Sequence, residues 1–281
     1  MKRIVTIQDI SGVGKCSVTV AHPIISAMGV ECAVMPTAVL STHTMFSGYT
    51  FLDLTDQMQP IADHWKKEGL GFDAIYTGYL GSFEQLRIVG RFIDDFRTAD
   101  NVVIIDPVMG DNGKLYPGFS VEFAHEMGEL LSHADLALPN LTEACYMLDI
   151  PYREDFTEEE IRDILRRLCA LGAKRAALKG IAFHPGKTGV MLYDSEKDTF
   201  SAYEHDRVPV SFHGTGDLFA SVVTGGVMRG LSEAQALRLA ADYTALTIAE
   251  TVADPDHRNY GVNFEATIPA LITRLHAELA N

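Results

Sequence analysis

The sequence contains few cysteines and few basic residues for its length. Four cysteines are spread over 281 residues, without a Cys-x-x-Cys pair or a Cys/His metal pattern. This spacing excludes a disulfide framework and the common zinc motifs. Lysine and arginine number 23 against 38 acidic residues, which gives a formal net charge of −15. Such a surface repels nucleic acid and anionic membranes, so neither is expected as a partner.

Long apolar runs, internal repeats and low-complexity tracts are also missing. The first apolar run, at residues 3–7, is too short for a signal peptide or a membrane span. We therefore expect a soluble cytoplasmic protein with reduced thiols. Hydrophobic residues make up 47% of the chain and charged residues 22%, which is ordinary for a globular protein. No linker interrupts the pattern, so a single domain is predicted over residues 1–281.

Short apolar runs alternate with amphipathic segments along most of the chain. Strands are predicted at residues 3–7, 31–39, 73–77, 102–105, 135–138 and 175–178. Helices are predicted between them at residues 18–28, 54–68, 82–98, 118–132, 140–149 and 157–171. A hairpin is predicted at 187–206, and mainly helix from 214 on. Repeated strand–helix units predict an α/β fold with three αβα layers and a mainly parallel central sheet.

The segment Gly214-Thr215-Gly216-Asp217 opens an apolar helix after a strand-like region. The glycines permit a turn with positive φ, and free amides at a helix start favour an anion. A carboxylate beside that anion is suited to accept a proton from a nucleophile while the amides hold a phosphoryl group. Asp is also a good helix cap, so the segment alone leaves both interpretations open.

Five polar or glycine-bearing segments follow the predicted strands. They are residues 8–12, 41–44, 78–81, 106–111 and 139–143. In an open parallel sheet, ligands bind beyond the carboxyl ends of the strands. The five segments together therefore predict one continuous cleft.

Gly14-Lys15 is similar to the end of a phosphate-binding P-loop. That motif requires Gly at position 9 and Ser or Thr at position 16, whereas the chain has Asp9 and Cys16. The dinucleotide-binding pattern fails as well, because its third glycine falls on Ser17. Neither motif is predicted, and a nicotinamide enzyme is only a weak alternative.

Several motifs together resemble the ribokinase-like superfamily and, within it, the pyridoxal/pyridoxine kinases of vitamin B6 salvage. The motifs are Ser41-x-His43-Thr44, Gly78-Tyr79-Leu80-Gly81, Asp106-Pro-Val-Met-Gly-Asp111, Asn140-x-x-Glu143 and Gly214-Thr-Gly-Asp217-Leu-Phe-Ala220. The resemblance covers nearly the whole chain. One position departs from it, since the familiar pyridoxal kinases have Ser where this chain has Asp9. The run Asp9-Ile-Ser11-Gly is instead similar to hydroxymethylpyrimidine kinases of thiamine synthesis.

The resemblance implies transfer of the γ-phosphoryl group of ATP to a hydroxymethyl oxygen. Asp217 would accept the hydroxyl proton, and the amides of Gly214, Thr215 and Gly216 would hold the transferring group. Glu143 would bind Mg²⁺ directly or through water, near Asp106 and Asn140; Asn140 and Glu143 could equally form a helix cap. Lys179 would approach the nucleotide phosphates or be a surface lysine. Residues 107–120 would form a lid or an ordinary loop.

For the acceptor ring, the resemblance implies a pocket built by Tyr79, Thr44 and His43. Asp9 or Ser11 would contact the ring nitrogen or the phenolic oxygen of the substrate. A core-packing role for Tyr79 is the alternative.

The preferred function is a B6-vitamer kinase acting on pyridoxal, pyridoxine or pyridoxamine. The alternatives are a hydroxymethylpyrimidine kinase, a sugar or nucleoside kinase of the same superfamily, and a non-catalytic vitamer- or nucleotide-binding protein. The resemblance also implies a homodimer. The sequence leaves open whether a monovalent cation such as K⁺ is required.

Overall fold

The computed structural model describes residues 1–280. Within that range the chain forms eleven strands and nine α-helices. The strands are β1 (Arg3–Val13), β2 (Glu31–Thr42), β3 (Phe51–Asp53), β4 (Ala74–Thr77), β5 (Val102–Ile105), β6 (Gly110–Asp111), β7 (Lys114–Leu115), β8 (Leu136–Ala137), β9 (Arg175–Ile181), β10 (Lys187–Asp194) and β11 (Thr199–Asp206). The helices are α1 (Val18–Ala27), α2 (Thr55–Lys67), α3 (Phe83–Phe96), α4 (Val121–Leu130), α5 (Leu141–Met147), α6 (Glu158–Ala170), α7 (Thr215–Met228), α8 (Glu233–Ala253) and α9 (Phe264–Leu279).

Nine of the strands form one sheet in the order β11-β10-β9-β8-β5-β4-β1-β2-β3. The six inner strands from β9 to β2 are parallel to one another. Strand β3 at one edge and the β10–β11 hairpin at the other are antiparallel additions. The predicted mainly parallel sheet and the predicted hairpin are confirmed.

Two apolar clusters cover the two faces of the sheet. One contains Ile7 and Phe92 together with side chains of α2 to α6. The other contains Ile4 and Val222 together with side chains of α1, α8 and α9. Successive strand side chains point to opposite faces, which is why Ile4 and Ile7 enter different clusters. The three-layer αβα architecture is thereby confirmed.

The first two strands extend well beyond their predicted ends at residues 7 and 39. They pair in parallel as far as Val13 and Thr42, with a register shift between Gln8 and Ile10. Asp9 lies in this bulge, and bulges redirect side chains next to functional sites. Strand β3 and the small β6–β7 ribbon were not predicted, because three or two residues carry no clear apolar periodicity. Among residues 1–280, no helix has the length and apolar character to cross a membrane.

Candidate active site

The predicted site residues gather at the carboxyl ends of the parallel strands. Asp9 lies in the β1 bulge, Tyr79 follows β4, Asp106 follows β5, Asn140 follows β8, and Lys179 lies near the end of β9. The backbones of Asn140 and Lys179 pair in a parallel bridge. The side chains that the loop sequences predict to line a cleft therefore lie together at the carboxyl ends of the parallel strands.

The glycine turn stands at the start of α7. Gly214 has a φ of +76°, and a Cβ at this position would overlap with the carbonyl oxygen of Lys15. Only glycine fits both the left-handed backbone and the close approach. Thr215 fixes the turn by donating its hydroxyl to the carbonyl of Phe212 at 3.1 Å. The amides of the turn thus open the helix next to the loop that follows β1.

Asp217 lies in the first turn of α7 and is only 7% exposed. Its Oδ2 accepts the backbone N–H of Ser17 at 2.8 Å. Its Oδ1 has no hydrogen-bond partner among residues 1–280. The N-cap of α7 is Gly214 rather than Asp217, and the Asp217 carboxylate accepts from the Ser17 N–H instead of an amide of its own helix, so the capping interpretation is not supported. One oxygen is therefore fixed, and the other is an open acceptor for a proton.

Burial raises the pKa of Asp217 to about 7, and the nearby charges of Asp106 and Asp9 act in the same direction. The Ser17 N–H opposes this rise by stabilising the charged form. A base whose pKa lies near neutral pH is suited to take and release a proton under physiological conditions.

Lys179 and Asp106 form a buried ion pair, with 2.6 Å between Nζ and Oδ1. The Asp106 Oδ2 is buried without a hydrogen-bond partner in the described chain. Burial disfavours the charged lysine, but the Asp106 and Glu143 carboxylates outweigh it and raise the pKa of Lys179. The ammonium also lies next to Gly216, 3.8 Å from the position a Cβ would take there. The surface-lysine alternative is therefore wrong, and Lys179 brings a cation to the glycine turn.

Asn140 and Glu143 form the capping box of α5. The Asn140 Oδ1 accepts from the Glu143 amide at 2.9 Å, and the Glu143 Oε2 accepts from the Asn140 amide at 2.8 Å. The other oxygen of Glu143 accepts the Met109 N–H at 3.2 Å. Burial raises the pKa of Glu143 to about 7. The cap is present, and each carboxylate oxygen retains a lone pair for a second partner.

The carboxylates suit Mg²⁺ only in combination with a phosphate ligand. Within residues 1–280, no group of three or more His, Cys, Asp or Glu side chains is arranged to hold a metal ion. Mg²⁺ is typically bound by one or two carboxylates together with waters and substrate phosphates. The unpartnered Asp106 Oδ2 and the nearby Glu143 match that donor set.

Two of the residues predicted for the acceptor pocket, Asp9 and Tyr79, lie in β1 and just after β4, and the charge of Asp9 acts on Asp217. Asp9 accepts the Ser11 hydroxyl at 3.1 Å, and burial raises the pKa of its carboxyl. Burial raises the pKa of the half-buried Tyr79 to about 12, with Asp9 contributing. The Tyr79 ring lies 5.6 Å from that of Phe119, which belongs to the predicted lid segment. Asp9 is thus near enough to Tyr79 for its charge to affect the phenol.

His43 and Thr44 differ in their surroundings. His43 is buried; its Nδ1 accepts the Met45 N–H at 3.0 Å, and its Nε2 lies 3.1 Å from the Tyr260 carbonyl. Both ring nitrogens thus have partners within the protein. Burial lowers the pKa of this imidazole. Thr44 is exposed beside it.

The lid segment forms the β6–β7 ribbon, whose tip contacts α5. The Gly113 amide donates to the Thr142 hydroxyl at 2.9 Å. Tyr116, just after the ribbon, was missed by sequence reasoning. Burial raises the pKa of its phenol, and Glu143 and Asp111 add to the effect. The sequence could have indicated Tyr116 as a site residue, because it lies in a glycine- and proline-rich loop that follows a strand.

Ser17 was also missed, and no local pattern marks it. It acts through its backbone amide, which meets a carboxylate 200 residues further along the chain. The missed contact depends on the fold rather than on the side chain.

A glycine turn at a helix start, a largely buried lysine and four carboxylates at the carboxyl ends of the strands are typical of an enzyme that transfers a phosphoryl group to a small molecule. The comparisons with known proteins give the family. The phosphomethylpyrimidine kinase family model matches residues 24–263, and the chain belongs to this family of kinases.

Three relatives illustrate the similarity. The pyridoxine/pyridoxal/pyridoxamine kinase of Bordetella pertussis is 30% identical over 251 residues, with 85% of each chain covered. A crystal structure with pyridoxal, of a Bacteroides thetaiotaomicron protein provisionally named a phosphomethylpyrimidine kinase, is 42% identical with a TM-score of 0.91, covering 96% of this chain and 95% of that one. Lactobacillus plantarum pyridoxal kinase is 29% identical with a TM-score of 0.89, covering 99% of both chains. The predicted kinase family and ribokinase-like fold are confirmed.

The raised pKa of Asp217 predicts how activity and stability depend on pH. Below about pH 7 the carboxyl is protonated and cannot accept a proton, so kcat/KM should fall as the pH decreases through 7. The carboxyl has its ordinary pKa of 3.8 in the unfolded chain and a pKa of about 7 in the folded protein. Between these values the folded state binds the proton more tightly, so the free energy of unfolding should decrease as the pH rises from about 4 to 7. Asp217→Asn should then raise the free energy of unfolding at pH 8 by about 1–2 kcal/mol.

Urea unfolding at pH 8 measures that gain. Asp163→Asn makes the same substitution at an exposed position on α6. As the matched control, it should leave the free energy of unfolding at pH 8 unchanged. An Asp217→Asn protein less stable than the parent at pH 8 would contradict the prediction.

Proposed function

We propose that this protein transfers the γ-phosphoryl group of ATP to the hydroxymethyl oxygen of a B6 vitamer, forming its 5′-phosphate and ADP. The observation that carries the proposal is the Asp217 carboxylate. One of its oxygens is fixed by the Ser17 amide, and the other is unpartnered within the described chain, at the start of the α7 glycine turn. The named pyridoxal and pyridoxine kinases among the relatives support the vitamer as acceptor.

In the proposed reaction, the acceptor hydroxyl oxygen forms a bond to the γ-phosphorus as its proton passes to the Asp217 Oδ1. The bond between that phosphorus and the β,γ-bridging oxygen breaks, and ADP leaves with the electron pair. The amides of Gly214, Thr215 and Gly216 would stabilise the charge on the transferring group, with Lys179 beside them. A positioned general base typically contributes about 10²–10⁴-fold.

Mg²⁺, when bound, would neutralise phosphate charge in this site. Asp106 through its free oxygen, and Glu143 directly or through water, would hold it, with Asn140 nearby. The β6–β7 ribbon and Tyr116 would shield the phosphates from water, which limits hydrolysis of ATP.

On the acceptor side, Tyr79 would supply an aromatic wall, and Thr44 would offer its hydroxyl to the ring substituents, with His43 beside it. Asp9, supported by the Ser11 hydroxyl, would meet the ring nitrogen. A hydroxymethylpyrimidine is the second candidate acceptor. The name of the family model and the Asp9-Ile-Ser11-Gly run both favour it.

We further propose a homodimer in the cytoplasm. The outer edge of the sheet exposes apolar side chains that a second copy would cover, with Phe51 and Leu52 exposed by 51% and 60%. Val39 and Tyr49 extend the same surface. Free thiols at all four cysteines of the described chain support a reducing compartment.

The substrate proposal is tested by measuring ADP release with ATP and Mg²⁺. Pyridoxal, pyridoxine, pyridoxamine and hydroxymethylpyrimidine are offered in parallel. We expect turnover with at least one B6 vitamer, and a loss of kcat by about two decades or more in Asp217→Asn, because a general base is removed. Folding is checked by circular dichroism, and Asp163→Asn is the control. Near-normal turnover by Asp217→Asn would reject the base, and turnover with hydroxymethylpyrimidine alone would favour the second candidate.

Asp9→Asn tests the contact with the ring. If the carboxylate faces a protonated ring nitrogen, the amide should raise the KM for pyridoxine about tenfold while the KM for ATP stays unchanged. Steady-state kinetics with each substrate varied separately make the measurement. An unchanged KM for pyridoxine would count strongly against the contact.

Leu52→Asp tests the dimer. A charge in the centre of an apolar interface should shift the protein to monomers, seen by sedimentation velocity at micromolar concentration. Leu70→Asp changes a similarly apolar residue that is 38% exposed elsewhere and should leave the oligomeric state unaltered. A parent protein that sediments as a monomer refutes the proposal directly.

A further inference from the structure

Lys15 belongs to the P-loop-like Gly14-Lys15 pair, but its ammonium is bound by side chains of the protein. Its Nζ lies 2.8 Å from the Glu265 Oε2 and 3.1 Å from the Asn263 Oδ1. The same ammonium is 5.7 Å from the centre of the Phe264 ring. The side chain is 17% exposed. All these contacts lie at the start of α9, so the charge of Lys15 is already matched within the protein.

The backbone around Lys15 also contacts the glycine turn at the start of α7. The Lys15 carbonyl occupies the space that a Cβ of Gly214 would need. Two residues later, Ser17 donates its amide to Asp217 at 2.8 Å. We call residues 14–17 the bracket, because they join the start of α9 to the start of α7.

The bracket holds a strained backbone. Ser17 has a φ of +50°, a left-handed conformation that is unfavourable for a residue other than glycine. Such conformations persist only where surrounding contacts impose them. In this conformation the Ser17 amide donates to the Asp217 Oδ2, and contacts around the loop must hold it there.

Three contacts on the α9 side provide that restraint. Lys15 donates its amide to the Tyr260 carbonyl at 3.4 Å. Gly261, with a φ of +151°, lies so close that a Cβ there would overlap with the Lys15 side chain. The third contact is the ion pair with Glu265, which fixes the end of the lysine. The backbone amide, the Cβ and the ammonium of Lys15 therefore each have a contact with residues 260–265.

From these contacts we propose that Lys15 is a positioning residue: its ion pair with Glu265 holds the bracket in the conformation that aims the Ser17 amide at Asp217. The inference rests on the proposed role of Asp217 as the general base. It also assigns the Gly14-Lys15 pair a role in the site without any contact with phosphate.

Loss of the ammonium should let the bracket relax and weaken the Ser17–Asp217 hydrogen bond. That bond favours the charged carboxylate, so its loss raises the pKa of the base and moves the acidic limb of the pH profile upward. A phosphate-binding lysine would behave differently, because its removal weakens ATP binding and raises the KM for ATP.

The experiment compares Lys15→Met, Lys15→Arg and Glu265→Gln. We expect Lys15→Met and Glu265→Gln each to lower kcat about fivefold, the rate equivalent of a partly exposed ion pair. The acidic limb of kcat/KM should move up by about half a pH unit, with the KM for ATP within about twofold of the parent. Lys15→Arg should restore both quantities, and the Lys15→Met/Glu265→Gln double variant should be no worse than either single variant.

Lys187→Met removes a different ion pair, 2.8 Å from Asp206 on the β10–β11 hairpin, and should leave rate and pH profile unchanged. Glu265 is 58% exposed, so Glu265→Gln tests the ion pair even if Lys15→Met folds poorly. A raised KM for ATP in Lys15→Met with an unmoved pH profile would overturn the inference in favour of a phosphate contact. Parent-like Lys15→Met and Glu265→Gln, with Asp217→Asn inactive, would refute the positioning role alone. An active Asp217→Asn would refute the proposed base and the inference with it.

Discussion

The buried ion pair between Lys179 and Asp106 is the interaction on which the rest of the site depends. Asp9, Asp106, Glu143 and Asp217 converge on one water-poor edge of the sheet, where like charges destabilise one another. A single ammonium, placed 2.6 Å from Asp106, offsets part of that repulsion. Its position follows from the strand order, because β8 alone separates β9 from β5. The topology thus determines the charge balance of the cleft as well as its shape.

Two of the five non-glycine residues with positive φ in the described chain lie beside the same carboxylates. Ser17 and Val108 both have positive φ, and the latter is a β-branched residue for which this is rare. Ser17 offers its own amide to Asp217, and Val108 precedes the Met109 amide that binds Glu143. Two strained turns therefore supply hydrogen bonds to two functional acids. The stability that this costs is compensated by the large apolar clusters on both faces of the sheet.

Apolar periodicity was enough to predict the three-layer fold, and strand 102–105 matches β5 residue for residue. The outer half of β1 was not predicted because it contains small and polar residues, Asp9 and Ser11 among them, which show no apolar alternation. These residues belong to the sheet through backbone pairing with β2. In the site, Asp217 and the Asn140–Glu143 pair were identifiable from local motifs. The contacts of Ser17 and Lys15 were not, since their partners lie 200 and 250 residues away.

The bracket at residues 14–17 has a consequence for how the enzyme is made. Its restraint comes from residues 260–265, near the carboxyl end of the chain. During synthesis, the residues of β1 to β11 and of the glycine turn leave the ribosome before residues 260–265 do. If Lys15 has the proposed positioning role, the hydrogen bond from Ser17 to Asp217 is held in place only after α9 has docked. Full catalytic competence would therefore arise only after the segment 260–265 has been synthesised and has packed against the bracket.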